Sequence, residues 1–230
     1  MFNIEQYIND LTSACKDKFG DRLLYVDLQG SYLRGEATES SDIDIMAVID
    51  ELSVADLDSY RNILKRIGYF DKSCGFICGK NDLLNWNPLE ICHLLHTTKD
   101  YCGTLAELVP AYTREDERTY VKLSLNNLYH ELCHRYVHSD RETNIAMLPI
   151  TCKSVFFIMQ NVYYLESGDF VLTKNELLKK LHGDNKKILD MAMALQASKD
   201  YNFDKVFAAL FEWCWKTLEA VSDERGEASS

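Results

Sequence analysis

The chain has 230 residues, 47% of them hydrophobic and 27% charged, with 36 acidic against 25 basic side chains and a formal net charge of −11. That length suits one large domain or two small ones, and no apolar run reaches the length of a membrane span. An acidic chain without a basic stripe does not fit a protein that wraps nucleic acid, because phosphate neutralisation needs Lys and Arg in excess. Eight cysteines without framework spacing read as reduced thiols. The opening residues lack a basic-then-apolar signal design, so a cytoplasmic protein is expected.

In chain order, Ile4, Tyr7, Ile8, Leu11 and Ala14 form a helical stripe over 3–18, closed by Gly20. An apolar strand is predicted over 23–28, ending at Gly30-Ser31, and a second over 43–49. Residues 53–67 read as a helix with Ser53 as N-cap, Leu57, Tyr60, Leu64 and Ile67 as its stripe, and Gly68 as its stop. Residues 74–79 fit an edge strand whose Cys74 and Cys78 are plain strand thiols. NDLLNWNP fits a short helical turn stopped by Pro88, and LEICHLL over 89–95 a third full strand. Beyond Pro110 the strand signals cease, and helical patterns follow over 115–138, 144–166, 173–181, 184–198 and 203–221. The expected architecture is α+β: a small mixed-sheet domain over 1–112, then an all-α helical bundle over 113–222. The polar residues 223–230 are expected to be a disordered tail.

Chemistry concentrates in 23–50, LLYVDLQGSYLRGEATESSDIDIMAVID. Asp42 and Asp44 stand two apart at the start of a strand, so both carboxylates leave one face. Such a pair suits a hard divalent cation such as Mg²⁺, whose partners are carboxylate, water and phosphate oxygens. Gly30 lets backbone approach a phosphate, and Ser31 adds a hydroxyl. Glu90, in PLEICHLLH, is a third acid.

Gly-Ser, a ten-residue spacer and an Asp-x-Asp opening a strand, with a third acid further on, together resemble the nucleotidyltransferases of the DNA polymerase beta superfamily. GSYLRGEATESSDIDIMAV is similar to the small bacterial members, in which the Arg after Gly-Ser and the Ser before the first Asp line the phosphate and metal pocket. Here these are Arg34 and Ser41. The helical half resembles that of the aminoglycoside nucleotidyltransferases, and VYYLESGDFVLTKNELLKKL their segment ending in a nucleotide-reaching Lys, here Lys174. The resemblance implies transfer of a nucleoside monophosphate, AMP from ATP, to a hydroxyl of a small acceptor. Asp42 and Asp44 would hold the metal, and Glu90 would be a further ligand or the general base, the base being the role of that acid in the aminoglycoside enzymes. Gly30, Ser31, Arg34, Ser41 and Lys174 would bind the nucleotide. A cationic, aminoglycoside-type acceptor suits an acidic helical half, with Tyr129, Glu131, Tyr136 and Tyr163 as candidate pocket residues. No nucleic-acid or membrane partner is expected, and a dimer is left open. Two other readings remain: a protein-adenylylating enzyme of toxin–antitoxin type, and a nucleotide-binding module without turnover.

Residues 130–134 read HELCH, and His138 adds a third histidine one turn on. The string matches His-Glu-x-x-His, but the downstream glycine turn and third ligand of the extended zinc-protease signature are absent. On a straight helix His130 and His138 lie about 12 Å apart, too far to share an ion. A polar helix face is the expectation.

Overall fold

The computed structural model describes residues 2–197 and 200–223; the expected tail over 223–230 falls outside the residues whose side chains are described. The chain divides into two compact units, Met1–Tyr112 and a second beginning at Thr113.

In the first unit, α1 (Ile4–Phe19) leads through a 3-10 turn into β1 (Leu23–Leu28), α2 (Gly30–Leu33), β2 (Ile43–Ile49), α3 (Val54–Ile67) and β3 (Ser73–Gly79). Then come α4 (Lys80–Leu84), α5 (Pro88–His96) and β4 (Lys99–Cys102). The four strands form one sheet in the order β3-β2-β1-β4, with β1 antiparallel to β2 and β4, and β2 parallel to β3. The parallel pair needs a crossover, which α3 supplies. Its start is fixed by a capping box between Ser53 and Asp56, and Arg22 donates from both terminal guanidinium nitrogens to the Asp56 carboxylate. These contacts hold the Asp56 carboxyl well below the usual range, the Arg22 bond being the largest cause.

Alternation along the strands divides the sheet. Ile43, Ile45, Ala47 and Ile49 join Tyr7, Ile8, Leu11 and Cys15 of α1 and Tyr60 and Ile63 of α3 in one core. Met46 and Val48, with Tyr25, Cys78, Leu83 and Leu105, form a second core on the other face. Asp42 and Asp44 precede Met46 and Val48 in the same alternation, so they belong to that second face.

The strand expected over 89–95 is a helix, and the sheet's further strand comes later, at Lys99–Cys102. Pro88 starts this helix rather than stopping the previous one. It stands at the first helical position, where its missing N–H costs nothing, and Asn87 caps by accepting from the Leu89 N–H at 3.1 Å. Glu90 in the first turn and His93 and His96 in the last suit the helix dipole. The apolar run that read as a strand buries Ile91 and Cys92.

The described elements of the second unit are helices: α6 (Arg114–His138), α7 (Arg141–Thr151), α8 (Lys153–Ser167), α9 (Lys174–Lys180), α10 (Gly183–Ala197) and α11 (Phe203–Asp223). The single helix expected over 144–166 is broken at Cys152 into α7 and α8. Val121, Leu125, Leu128 and Leu132 of α6 meet Val155, Met159 and Val162 of α8, Ile188 and Leu189 of α10, and Leu210 and Trp213 of α11 in one core. Among the described residues no single helix is long and apolar enough to cross a membrane. The bent pair α7–α8 passes only by joint length and composition, and Val155, Phe156, Ile158, Met159 and Val162 on it are core residues.

Candidate active site

The Gly-Ser segment is not an open loop but one tight helical turn, α2, standing at the end of β1. The Gln29 N–H bonds to the Asp44 carbonyl at 2.9 Å, which seats the turn against the start of β2. Gly30 has φ +66, and a Cβ there would stand 1.9 Å from Asp44 Oδ2. Only a residue without a side chain allows the turn and the carboxylate to lie this close.

Asp42 is exposed and Asp44 half-buried. Burial raises the Asp44 carboxyl above its ordinary value; the Asp42 charge adds to that, while a Cys74 thiol hydrogen bond and the Arg34 charge oppose it. Cys74 is the residue opposite Asp44 on β3. It is exposed, and burial of its sulfur, with lesser effects from Asp44 and Asp42, raises its thiol. Arg34 follows α2 and donates from Nε to Glu36 Oε2 at 3.1 Å. Ser41 closes a small turn before β2, its Oγ accepting from the Thr38 N–H at 2.8 Å. Gly30, Arg34, Asp42 and Asp44 are therefore brought to one place.

Glu90 stands on the helix α5 and not on a strand. It is exposed, in the first turn of α5, and accepts from Trp86 Nε1 at 2.5 Å; Trp86 in turn stacks on Phe76 with ring centroids 5.7 Å apart. Lys174 opens α9 in the helical unit, its Nζ 5.6 Å from the centre of the Phe156 ring. Among the described residues no three His, Cys, Asp or Glu side chains are placed to hold one metal ion together.

Two acids escaped the sequence reading. Asp27 on β1 is fully buried; its Oδ1 accepts from the Met46 N–H at 2.7 Å and its Oδ2 from Gln29 Nε2 at 2.8 Å. It thus ties the strand bearing Asp42 and Asp44 to the residue preceding Gly30. Burial pushes its carboxyl up to about 7, against the pull of the Gln29 and Met46 bonds. Asp100 on β4 is its register partner, is exposed, and accepts from the Tyr25 hydroxyl at 2.5 Å. Paired residues on neighbouring strands share a face, so Asp100 lies on the face of Asp42 and Asp44. The signal for Asp27 was present, since an acid inside LLYVDL must find partners if buried. Asp100 sat in a segment with no strand pattern of its own.

The acceptor candidates are occupied in different ways. Glu131 Oε1 accepts from Arg135 Nε at 2.9 Å and from Thr151 Oγ1 at 2.8 Å. Tyr129 stacks on Phe211 and Tyr136 on Phe207, and Lys180 Nζ lies 5.9 Å from the centre of the Tyr163 ring.

A mixed four-stranded sheet with a glycine turn pressed against paired acids defines a nucleotidyltransferase-type α+β protein with a helical second half. Residues 8–75 match the model of the nucleotidyltransferase domain. Three relatives in Methanocaldococcus jannaschii, each named "Putative protein adenylyltransferase", are 38% identical over 72 residues, 34% over 58 and 46% over 48. These stretches are 31%, 25% and 21% of this chain, and 67%, 40% and 48% of the respective relatives. The chain therefore spans less than half the length of two of them. The crystal structure of the spectinomycin adenyltransferase AAD(9) from Enterococcus faecialis, with ATP and spectinomycin, shares the fold. It has a TM-score of 0.59 and 14% identity, covering 94% of this chain and 100% of that one. The chain belongs to the nucleotidyltransferase family.

Proposed function

We propose that the protein transfers a nucleoside monophosphate, AMP from ATP, to a hydroxyl of a small, cationic, aminoglycoside-type acceptor. The observation that carries this reading is the contact of the Gly30 turn with the Asp44 carboxylate, beside Asp42, in a family-matched segment. The likeness over nearly the whole chain to a fold solved with ATP and spectinomycin supports the acceptor class.

The donor set fits Mg²⁺: two carboxylates on one strand face, one exposed and one half-buried. Asp42 and Asp44 would hold the ion, which when bound neutralises charge on the triphosphate. Gly30 and Ser31 offer backbone and hydroxyl donors to the phosphates, and Arg34 a cation, with Ser41 holding the loop that precedes Asp42. Lys174 is the proposed nucleotide contact from the helical unit. In the reaction the acceptor oxygen bonds to the α-phosphorus, the bond from that phosphorus to the bridging oxygen breaks, and pyrophosphate departs. The acceptor proton passes to a carboxylate. Glu90 is the candidate by resemblance; Asp100 is the candidate by position, since it shares the sheet face with Asp42 and Asp44 across β1.

The test is mass detection of an AMP adduct after incubation with ATP, Mg²⁺ and a panel of aminoglycosides and related antibiotics. Asp42→Asn should abolish the adduct with little loss of stability, and Glu90→Gln set against Asp100→Asn identifies the base. No adduct with any small acceptor would sink the proposal. A second reading, adenylylation of a protein hydroxyl, is favoured by the names of the three Methanocaldococcus jannaschii relatives. It predicts an adduct on a partner protein and none on the antibiotics.

A further inference from the structure

The three histidines of α6 are not absorbed by the fold or by the proposed reaction. His130, His134 and His138 are all exposed. Their rings form a ladder, with centroids 5.8 Å apart at 20° for the first pair and 4.8 Å at 43° for the second. No hydrogen bond or ion pair to another described residue engages them, whereas the neighbouring Glu131 is held by Arg135 and Thr151, and Cys133 is partnered with Tyr129. Three imidazoles thus stand in a row with their nitrogens open to solvent.

One helical turn brings side chains at i and i+4 within roughly 6 Å, which lets two imidazole nitrogens reach a single ion at about 2.0–2.1 Å. From these positions we infer that His130, His134 and His138 form a surface site for one borderline-soft divalent ion such as Ni²⁺, Cu²⁺ or Zn²⁺. Two adjacent histidines bind at a time, and water fills the remaining positions. Imidazole suits these ions, and oxygen donors suit Mg²⁺ and Ca²⁺, so this site and the aspartate pair select different metals. His130 and His138 are two turns apart, about 12 Å, and cannot chelate together. His134 is therefore common to both pairs, and the site has two overlapping registers sharing one essential ligand.

That sharing makes the inference sharp. Calorimetry with Ni²⁺ on tag-free protein, with Mg²⁺ as comparison, is expected to show one Ni²⁺ per chain. His134→Ala removes both registers and should weaken Ni²⁺ binding at least tenfold. His130→Ala and His138→Ala each leave one register and should weaken it only a few-fold, while the double variant His130→Ala/His138→Ala should match His134→Ala. All three side chains are exposed, so far-UV circular dichroism should be unchanged in every variant. A Cys74→Ser background removes the exposed thiol as a competing ligand and should leave the pattern intact. Retention of wild-type Ni²⁺ binding by His134→Ala, equal loss in all three single variants, or no saturable binding by the wild type would overturn the inference. None of these readouts depends on nucleotidyl transfer.

Discussion

Gly30→Ala separates two consequences of one added methyl group. The first is backbone strain: Gly30 has φ +66, and a side chain in the left-handed region costs about 1–2 kcal/mol. The second is local. The new Cβ would lie 1.9 Å from Asp44 Oδ2, so the carboxylate must retreat by about 1 Å or more to reach a contact that real side chains show. Asp44 Cγ and Cβ also lie 2.7 and 3.0 Å from that position, so the short side chain must move as a whole and the clash adds to the loss of stability. It also displaces a proposed metal ligand, and a misplacement of about 1 Å costs on the order of 10²-fold in rate, equivalent to about 2.7 kcal/mol of barrier. Gly35 supplies the control, with φ +67 and nothing within 4 Å of its Cβ position. Urea unfolding should therefore give a loss of about 1–2 kcal/mol in Gly35→Ala and a larger one in Gly30→Ala. Initial rates of AMP transfer should fall about 10²-fold in Gly30→Ala and stay within a few-fold of wild type in Gly35→Ala. Equal rates in the two variants would refute the idea that the turn is pressed against a working carboxylate.

Other expectations follow from the same face of the sheet. Asp27, raised from 3.8 to about 7, is protonated in both states at the acid end and ionised in both at the alkaline end. Between them the folded chain holds the proton and the unfolded chain does not, so this group lowers stability as pH climbs from about 4 to about 7, by at most about 4 kcal/mol. Asp27→Asn keeps an oxygen for the Met46 N–H, and its advantage over wild type in denaturant titrations should grow across that window; a difference flat in pH would contradict the assignment. Alkylation of the exposed Cys74 with a maleimide places bulk beside Asp44 and should stop transfer. Cys74→Ser should survive the treatment, and a modified wild type with full activity would place the thiol away from the reaction. The rate of alkylation should rise steadily above neutral pH, because the thiol is raised. Replacing Arg22 with Ala should destabilise the first unit through the α3 cap while leaving the Michaelis constant for ATP unchanged, measured by thermal melts and steady-state kinetics.

The apolar runs LLYVDL and IDIMAVI on either side of the Gly-Ser segment, and the Ser53 and Gly68 stops around α3, were enough to read the centre of the first unit. The two acids at 42 and 44 were legible for the same reason, since strand periodicity alone puts them on one face. The stretch from Asn87 to Cys102 misled because β-branched and aliphatic residues in LEICHLL mimic a buried strand. The Asn87 cap and the proline at the first helical position, both local signals, outweighed that pattern. KDYC is too short and polar to announce itself as a strand; it becomes one because β1 offers it a free edge. Asp100 went unseen with it. The break at Cys152 follows Pro149, whose ring and missing N–H disfavour an uninterrupted helix, a cue present in the sequence and passed over within a long apolar stripe.

The bond from the Met46 N–H to the Asp27 carboxylate has a consequence for how this chain tolerates insertions. Sliding β2 by one position would turn Asp42 and Asp44 toward the layer of α1 and α3 and expose Ile43 and Ile45 in their place. A polar anchor inside an otherwise greasy strand pair makes that slip costly, because it would orphan a buried acceptor. Length variation should therefore gather in the stretch between Leu33 and Asp42, where an added residue lengthens a bridge without rotating either bank.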